Sequence, residues 1–467
     1  MAEEGAGRPS VTLCVDFGST FTKAALVDLE EGRIVAAASH RTTIDTDVLD
    51  GYDACLAELN RQDPRAGTAP VLACSSAGGG LRIAVVGYES LVTAEAGRRV
   101  ALSSGGKVVQ VCSGGLDAAR FTQLAESEPD VVLLVGGTDG GNSEVLVGDA
   151  EFLAERRWSG PVVVAGNVEA QETVSALLRE AGTPHVLADN VVPRIGVLAP
   201  DSARSAIREM FLVHVIGGKH LSERADFAAM VRGATPDIVL TGVELLAKGL
   251  DDARPGAGDV VVVDVGGATT DVHSVIEVDP EDGSLDAGGL SREVVATTPV
   301  TRTVEGDLGM RWSAVSTVAA MGVSDDDPLV AAALRRQQDP SYLPDSEAEL
   351  DLDEAIAAGA VGLALRRHAG RSRVVLGPDG RVVERSGKDL REVDLMVGSG
   401  GVLRNGRAGV AQRVLGSSTG ADFEDGWQLP RSPAVVIDSD YVLAAAGLLA
   451  SVHPDAAYRL TRRLGDG

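Results

Sequence analysis

The sequence predicts a multidomain α/β protein in which one strand–turn–strand arrangement occurs twice and a parallel β–α–β segment is inserted into the first copy. An apolar strand that carries Asp near its end is followed by a glycine-containing turn and a returning strand from Val11, and this order recurs from Asp259. Between the two copies, apolar strands alternate with helical stretches, as they do in parallel sheets. A chain of 467 residues is too long for one core and favours two or three domains.

Composition and charge narrow the class of protein. The chain is 44% hydrophobic and only 3% aromatic, which is typical of an α/β protein with buried aliphatic strands. Its 68 Asp and Glu residues against 42 Lys and Arg give a formal charge of −26. That charge would repel a phosphate backbone, so we expect no nucleic-acid partner.

The cysteines and the N-terminus argue against several other classes. Cys14, Cys55, Cys74 and Cys112 form no C-x-x-C pair, so neither a zinc site nor a disulfide framework is indicated. The N-terminal residues are polar and acidic, and no stretch approaches about 18 uninterrupted apolar residues. We therefore expect a cytoplasmic protein that does not span a membrane.

The change of pattern along the chain predicts six segments. They are a flexible N-terminus at 1–10, the first part of the first domain at 11–70, an inserted α/β subdomain at 71–200, a helical remainder of the first domain at 201–256, the second domain at 257–445, and a C-terminal helix returning to the first domain at 446–467.

The first turn has the residues of a phosphate loop. Gly18 permits close backbone approach, and the hydroxyls and amides of Ser19 and Thr20 suit phosphate oxygens, with Lys23 on the returning strand. Asp16 at the strand end suits a hydrated Mg²⁺ ion. Hairpin turns rich in Asp, Gly and Ser are common, so this motif alone is weak evidence.

The second turn, Asp264–Asp271, is more specific. Gly266 and Gly267 allow it to close under terminal phosphates, and its hydroxyls and two carboxylates offer phosphate donors and groups that orient a metal or water. A purely structural turn would not need both hydroxyls, Thr269 and Thr270, and both acids.

A third glycine turn, Gly398–Gly401, follows an apolar strand and precedes a helical stretch. The turn consists of Gly398, Ser399, Gly400 and Gly401. Its glycines would let adenine and ribose lie against the backbone. No segment matches G-x-x-x-x-G-K-[ST], and Leu403 breaks G-x-G-x-x-G, so a Walker-type NTPase and a dinucleotide-binding fold are both disfavoured.

In this order, the three turns resemble the phosphate 1, phosphate 2 and adenosine motifs of the actin/Hsp70/sugar-kinase superfamily. The resemblance implies duplicated actin-like ATPase domains of the ribonuclease H-like class, ATP and Mg²⁺ as ligands, and ATP hydrolysis with interdomain closure. Ala268 stands where Hsp70 proteins have a third glycine, which puts their detailed phosphate geometry in doubt.

The residues assigned by these arguments fall into three groups. The catalytic candidates are Asp16, Asp264 and Asp271, and the metal candidates are Asp16 and Asp264. The nucleotide-binding candidates are Gly18, Ser19, Thr20, Lys23, Gly266, Gly267, Thr269, Thr270, Gly398, Ser399, Gly400 and Gly401.

A narrower resemblance covers the chain from about Val11 to Ala450. The strings LLVGGTDGGN, VVVAGN, VDVGGATTDVHS, TVEGDLGMRWS, MVGSGGVL and DSDYVLAAAGLLA resemble the MutL family of accessory proteins of adenosylcobalamin-dependent glutamate mutase and related aminomutases. These are unrelated to the mismatch-repair protein of the same name. The resemblance implies a reactivating factor or chaperone whose protein partner is a cobalamin mutase.

Other functions are open on the same fold. A small-molecule kinase of the sugar-kinase or acetate-kinase type would need an aspartate base at an acceptor pocket, and no such base is assigned. An actin-like filament protein is a further alternative. An electron-transferring activator is disfavoured, because the dispersed cysteines do not suit an iron–sulfur cluster.

Two further segments have two interpretations each. The Gly136–Asn142 loop would either contact a ligand or use its polar side chains to satisfy turn amides and cap the next helix. The Glu305–Arg311 segment would either reach the adenosine or form a helix-entry turn.

Overall fold

The computed structural model describes residues 10–90, 92–216, 221–277, 298–377, 380–420 and 426–465. The chain divides into two compact units. The first comprises the described residues up to Leu245 together with Val442–Arg463, and the second runs from Leu246 to Tyr441 and resumes at Leu464.

Strands and helices are numbered in chain order. The strands are β1 Val11–Phe17, β2 Phe21–Asp28, β3 Arg33–Arg41, β4 Val71–Ser75, β5 Arg82–Gly87, β6 Lys107–Ser113, β7 Val131–Leu134, β8 Val162–Val164, β9 His185–Leu187, β10 Val231–Ala234, β11 Gly249–Asp251, β12 Arg254–Pro255, β13 Val260–Val265, β14 Thr270–Val275, β15 Val300–Glu305, β16 Arg371–Gly377, β17 Gly380–Ser386, β18 Leu395–Ser399 and β19 Ala434–Ile437. The helices are α1 Val48–Gln62, α2 Thr93–Ser103, α3 Ala118–Glu126, α4 Glu144–Glu155, α5 Gln171–Ala181, α6 Asp201–Met210, α7 Ala225–Met230, α8 Thr235–Lys248, α9 Ala314–Met321, α10 Pro328–Gln338, α11 Glu347–His368, α12 Gly401–Arg404, α13 Val410–Val414, α14 Val442–Leu449 and α15 Pro454–Gly465.

The two units contain five-stranded sheets of the same topology. The first sheet has the order β3-β2-β1-β4-β10, and the second has the order β15-β14-β13-β18-β19. In each, the first three strands form an antiparallel meander and the last two run parallel to the strand that opens it. This duplicated order is that of the ribonuclease H-like, actin-like ATPase fold, so the predicted fold class is confirmed.

A third five-stranded sheet is inserted between β4 and β10 of the first unit. Its strands are all parallel, in the order β6-β5-β7-β8-β9. The inner strands β7 and β8 are fully buried aliphatic segments under a cluster that includes Leu124, Leu146 and Leu178 of α3, α4 and α5. Burial on both faces explains why these strands are continuous apolar stretches rather than alternating ones. The inserted parallel α/β unit is therefore confirmed in kind.

The predicted segment boundaries stay a prediction, but the strands near them have clear positions. β4 falls inside the predicted insertion at 71–200, yet it pairs with β1 in the first sheet. Strands β16 and β17 pair antiparallel as a two-stranded sheet, and residues 378–379 between them lie outside the described residues.

Local sequence explains the elements that carry the second unit. Val260–Val263 of β13 are β-branched and completely buried, which suits a central strand. Helix α11 begins at Ser346, whose side chain accepts a hydrogen bond from the Glu349 amide, and it has acidic residues in its first turn and basic ones in its last. Its buried face packs on the second sheet in a core with Met396 and Leu403.

None of the helices in the described ranges has both the length and the hydropathy that a membrane crossing requires.

Candidate functional site

Loop 1, Gly18–Thr20, joins β1 to β2 in the first unit. Asp16 lies near the end of β1, opposite Lys23 of β2 and Cys74 of β4. Its Oδ1 accepts a hydrogen bond from Oγ1 of Thr235 at 2.6 Å, and its Oδ2 lies 3.8 Å from Nζ of Lys23. Burial and the Asp16 charge raise the pKa of the Cys74 thiol, so the thiol stays protonated and donates to Asp16. Asp16 is thus fixed by three neighbouring groups while its side chain remains 12% exposed.

Thr42, which follows β3, binds the carbonyl groups of Gly18 and Thr20 in loop 1. The Gly18 amide closes the turn by donating to Phe21 O at 3.2 Å. Thr42, just after β3, donates its hydroxyl to Gly18 O at 2.7 Å and its amide to Thr20 O at 2.9 Å. Within the described residues, the amides of Ser19 and Thr20 donate no hydrogen bond, and both residues are exposed. These amides are therefore available to an anion.

Loop 2, Gly266–Thr269, joins β13 to β14 in the second unit. Asp264 near the end of β13 lies opposite Asp271 of β14 and Ser399 of β18. Asp271 is paired with Arg302 of β15, whose Nη2 and Nε donate to Oδ1 at 2.6 and 3.1 Å. The strand register thus brings two carboxylates and one hydroxyl together beside loop 2.

The segment after β15 holds the backbone of loop 2. The Met310 amide donates to Gly266 O at 3.0 Å, the Arg311 amide to Gly267 O at 2.8 Å, and Oγ of Ser313 to Ala268 O at 2.6 Å. A Cβ on Gly309 would lie 2.7 Å from loop backbone atoms, so glycine is needed for this contact. In the part of the chain that the structure describes, the amides of Gly267 and Ala268 donate no hydrogen bond. The Glu305–Arg311 segment therefore acts as the support of loop 2.

The two threonines of this turn differ in position. Thr270 is completely buried and its hydroxyl donates to Leu308 O at 3.0 Å, so this side chain stabilises the turn itself. Thr269 is half-buried and its Oγ1 lies 3.3 Å from Oδ2 of Asp271. The hydroxyl of Thr269 is the one that remains beside the carboxylates.

Loop 3, Gly398–Gly401, spans the end of β18 and the start of α12, and it lies beside loop 2 in the same unit. Gly400 has φ +108°, and a Cβ there would lie 2.2 Å from Val265 O. A Cβ on Gly398 would press on Leu415 at 2.7 Å, whereas one on Gly401 would meet no atom within 4 Å. Backbone packing thus requires glycine at the third of these four positions, leucine side chains crowd the first, and open space remains at the fourth.

Loops 1 and 2 are equivalent residue by residue. One constant spacing relates Asp16 to Asp264, Gly18 to Gly266, Phe21 to Thr269, Thr22 to Thr270, and Lys23 to Asp271. In both loops the same amide–carbonyl bond closes the turn, and in both the following threonine is buried. The equivalent positions differ in charge at Lys23 and Asp271.

The donor set of these loops suits Mg²⁺ better than a metal held by protein alone. Mg²⁺ usually binds through one or two carboxylates plus phosphates and waters. Asp16 and Asp264 each place a carboxylate beside a loop with available amides, and no cluster of three or more potential ligands is found among the described residues. The residues therefore fit a metal that arrives with a phosphate ligand.

The Gly136–Asn142 loop lies at the carboxyl end of β7, and its polar side chains are used internally. Asn142 accepts from the Glu144 amide at 2.9 Å at the start of α4. Asp139 accepts from Nδ2 of Asn190 at 2.8 Å and from the Val168 amide at 3.2 Å. These contacts favour the structural interpretation of this loop.

Sequence reasoning did not identify Thr42, Thr235 and Arg302, nor the anchoring roles of Arg311 and Ser313. Thr42, Thr235 and Arg302 contact loop 1 or the carboxylates beside the loops from distant parts of the chain, so none of the three turn motifs contains them. Arg311 and Ser313 lie in the string TVEGDLGMRWS, whose contact with loop 2 the sequence does not reveal. The position of Thr235 directly after β10, the strand next to β4, is a signal that topology could have supplied.

Comparison with known proteins gives a family match over nearly the whole chain. The family model described as MutL protein matches residues 12–464. Protein MutL of Clostridium tetanomorphum is 37% identical over 462 residues, covering 97% of this chain and 98% of that protein.

Two solved structures that match the chain are distant from it in sequence. An activator of 2-hydroxyisocaproyl-CoA dehydratase from Clostridium difficile with bound ADPNP aligns at 10% identity and a TM-score of 0.33, covering 96% of this chain and 95% of that one. A gluconate kinase from Lactobacillus acidophilus aligns at 11% identity and a TM-score of 0.34, covering 97% and 92%. Scores this low support no argument about function. The extent and identity of the sequence match, by contrast, are decisive, and the chain belongs to the MutL protein family.

Proposed function

We propose that this chain binds and hydrolyses Mg²⁺-ATP and uses the cycle as an accessory protein of an adenosylcobalamin-dependent mutase, either reactivating it or acting as its chaperone. One observation carries the first part. Thr42 binds the carbonyls of Gly18 and Thr20, and the 310–313 segment binds those of Gly266, Gly267 and Ala268. Among the described residues, the amides of Ser19, Thr20, Gly267 and Ala268 donate no hydrogen bond and are available. Backbone amides held in this way form anion sites suited to phosphate.

The roles of the remaining loop residues follow from their contacts. Thr235 and Cys74 fix the orientation of the Asp16 carboxylate, and strand register places Asp264 beside Asp271. Asp16 and Asp264 would hold Mg²⁺, which neutralises charge on the phosphate oxygens. Asp271, oriented by Arg302, would position the attacking water. Lys23 would balance phosphate charge next to loop 1.

Nucleotide binding and hydrolysis are tested with single-residue variants. Asp16→Asn and Asp264→Asn should each abolish Mg²⁺-dependent ATP hydrolysis while circular dichroism and unfolding temperature remain close to those of the wild type. Asp139→Asn is the matched control, because it makes the same chemical change in the glycine-rich loop whose contacts are internal. Full hydrolysis by both loop variants would refute the assignment.

The accessory role rests on family membership and needs its own test. The protein and ATP are mixed with a cobalamin mutase that hydroxocobalamin has inactivated, together with free adenosylcobalamin. We expect mutase activity to return with wild-type protein and not with Asp264→Asn. No recovery with a mutase encoded beside this protein would remove the accessory role and leave ATP binding intact.

A further inference from the structure

Helix α11 carries two adjacent buried acids in the second unit. Asp353 is 5% exposed and Glu354 is 6% exposed. Successive residues of a helix point about 100° apart, so adjacent side chains address different neighbours. A buried carboxylate costs free energy unless it is paired, and both of these are paired with two arginines.

Asp353 connects α11 to loop 2. Its Oδ1 accepts from Nε of Arg336 of α10, which is completely buried, and its Oδ2 lies 3.2 Å from Nη2 of Arg311. The Arg311 amide donates to Gly267 O at 2.8 Å, and a Cβ placed on Gly267 would lie 3.6 Å from Cβ of Arg311. Arg311 thus links the Asp353 carboxylate to the backbone of loop 2.

Glu354 connects the same helix to the segment after loop 3. It accepts from Arg407, with Nη2 2.8 Å from Oε2, and from Arg413, with Nη2 2.9 Å from Oε1. Arg407 lies between α12, which begins at Gly401, and α13, which carries Arg413. Hydrogen bonding first from Arg413 and then from Arg407 lowers the pKa of Glu354 to about 2, so its charge persists at any physiological pH.

We propose that Asp353 and Glu354 are positioning residues that each set a different nucleotide loop: Asp353 fixes loop 2 for the polyphosphate, and Glu354 fixes loop 3 for the adenosine. This inference rests on the proposed nucleotide binding and deepens it. Neither carboxylate touches the nucleotide, because Arg311 stands between Asp353 and loop 2, and α12 with the turn that carries Arg407 stands between Glu354 and loop 3.

The physical effect of removing either charge is local. In Asp353→Asn, the guanidinium of Arg311 loses its ionic partner, so the residue whose amide holds Gly267 O is fixed less firmly. In Glu354→Gln, Arg413 loses its ionic partner and Arg407 loses its buried one while keeping the exposed Glu347 and Asp351, so the turn after loop 3 is held less firmly. Each amide keeps the size of the acid it replaces, so packing is preserved and the change is mainly electrostatic.

The test uses two probes that each represent half of ATP. Displacement of a fluorescent ATP analogue by inorganic tripolyphosphate, by adenosine and by ATP is measured with Mg²⁺ for the full-length protein. Asp353→Asn should weaken tripolyphosphate and ATP by about ten-fold and leave adenosine unchanged, because a hydrogen bond to a charged group is worth about that factor. Glu354→Gln should weaken adenosine and ATP by about ten-fold and leave tripolyphosphate unchanged.

The control is Glu392→Gln, which makes the same chemical change in the second unit. Glu392 is paired with Arg431 at 2.8 Å, and its side chain is 79% exposed. This variant should leave all three affinities unchanged. If either buried-acid variant unfolds, Arg311→Lys and Arg407→Lys give the same crossed test with the carboxylates retained.

The outcomes separate the two proposals. Equal weakening of both probes in each variant, or no weakening in either, would overturn the inference, and so would displacement by neither probe from a wild-type protein that binds ATP. Failure of the wild type to bind ATP would instead overturn the proposed function. A merely structural role for the two acids predicts equal losses and not crossed ones.

Discussion

Thr42 supports loop 1 although it lies outside the sequence motif of that loop. It binds the carbonyls of Gly18 and Thr20 at once, through its hydroxyl and its amide. In loop 2 the same task is divided among Met310, Arg311 and Ser313. Sequence reasoning could locate the loops, because Asp, Gly and hydroxyl residues are adjacent in the chain. It could not locate their supports, because those contacts join distant residues.

Replacing Thr42 with Val should weaken ATP binding. Valine keeps the shape of threonine and removes the donor to Gly18 O, so that carbonyl is freed and the amides of Ser19 and Thr20 lose their fixed orientation. We expect a five- to ten-fold lower affinity by calorimetry and a loss of about 1 kcal/mol in the free energy of unfolding. Thr46→Val is the control, since the Thr46 hydroxyl donates to the exposed carboxylate of Asp50. Equal affinities in the two variants would contradict the role of Thr42.

Two buried histidines of the second unit give it an acid-sensitive stability. Burial lowers the pKa of His273 well below its usual value, with a smaller effect of Arg302. Burial also lowers the pKa of His368, with smaller effects of Lys388 and His273. The unfolded chain therefore binds more protons than the folded one below pH 6.5, and stability falls as the pH decreases through that value.

Urea unfolding at pH 7.5 and pH 5.5 measures this dependence. Each histidine should contribute a loss of up to about 1.4 kcal/mol per pH unit below pH 6.5, and none above it. His273→Leu removes one of the two groups and should reduce the difference between the two pH values. Among the described residues, Nδ1 of His273 has no hydrogen-bond partner, so the apolar substitution breaks no hydrogen bond at that nitrogen. An unchanged difference would show that His273 does not titrate on unfolding.

At the scale of elements, the hairpins β1–β2 and β13–β14 agree with what their sequences indicate. Runs of Val, Leu and Ala with a glycine turn between them predict both strands and turns locally. The place of β4 beside β1 and of β10 beside β4 does not follow from local pattern, because parallel pairing depends on crossover connections, and an entire inserted sheet separates β4 from β10 in the chain. The sequence could thus predict which segments form strands, but it could not predict which strands pair with each other.

Neighbouring glycines of loop 3 provide a matched test at this scale. Gly400→Ala forces a positive φ on alanine and brings its Cβ within 2.2 Å of Val265 O, at the end of the strand that carries Asp264. We expect a loss of roughly 2 kcal/mol or more in the stability of the second unit, together with loss of ATP binding. Gly401→Ala meets no atom within 4 Å and should unfold at the wild-type temperature. Similar unfolding temperatures for the two variants would contradict the close approach of loop 3 to β13.

At the scale of the whole molecule, loop 1 belongs to one compact unit and loops 2 and 3 belong to the other. The duplicated architecture could be predicted because strand–Asp–glycine turn–strand occurs twice in the same order. The supporting segments differ completely between the copies, since a short stretch after β3 serves loop 1 and the 308–313 segment serves loop 2. The two copies therefore share their sheet topology and their loops, but not the segments that support those loops.

Nucleotide binding through both loops predicts a coupled effect on the two units. A ligand at 100 times its dissociation constant stabilises the protein that binds it by about 2.7 kcal/mol. In hydrogen exchange with saturating Mg²⁺-ATP, protection should rise at the amides of Ser19 and Thr20 and, in the same sample, at those of Gly267 and Ala268. Asp264→Asn should remove the increase at both loops. Protection confined to one loop would limit nucleotide binding to one unit.

The equivalence of Lys23 and Asp271 makes the two loops unequal in charge. The position opposite Asp16 carries a cation, whereas the position opposite Asp264 carries a second carboxylate. Two equal charges would suit a ligand with two equal ends, but a nucleotide has unequal ends. The difference would thus give a duplicated scaffold the polarity that an asymmetric ligand requires.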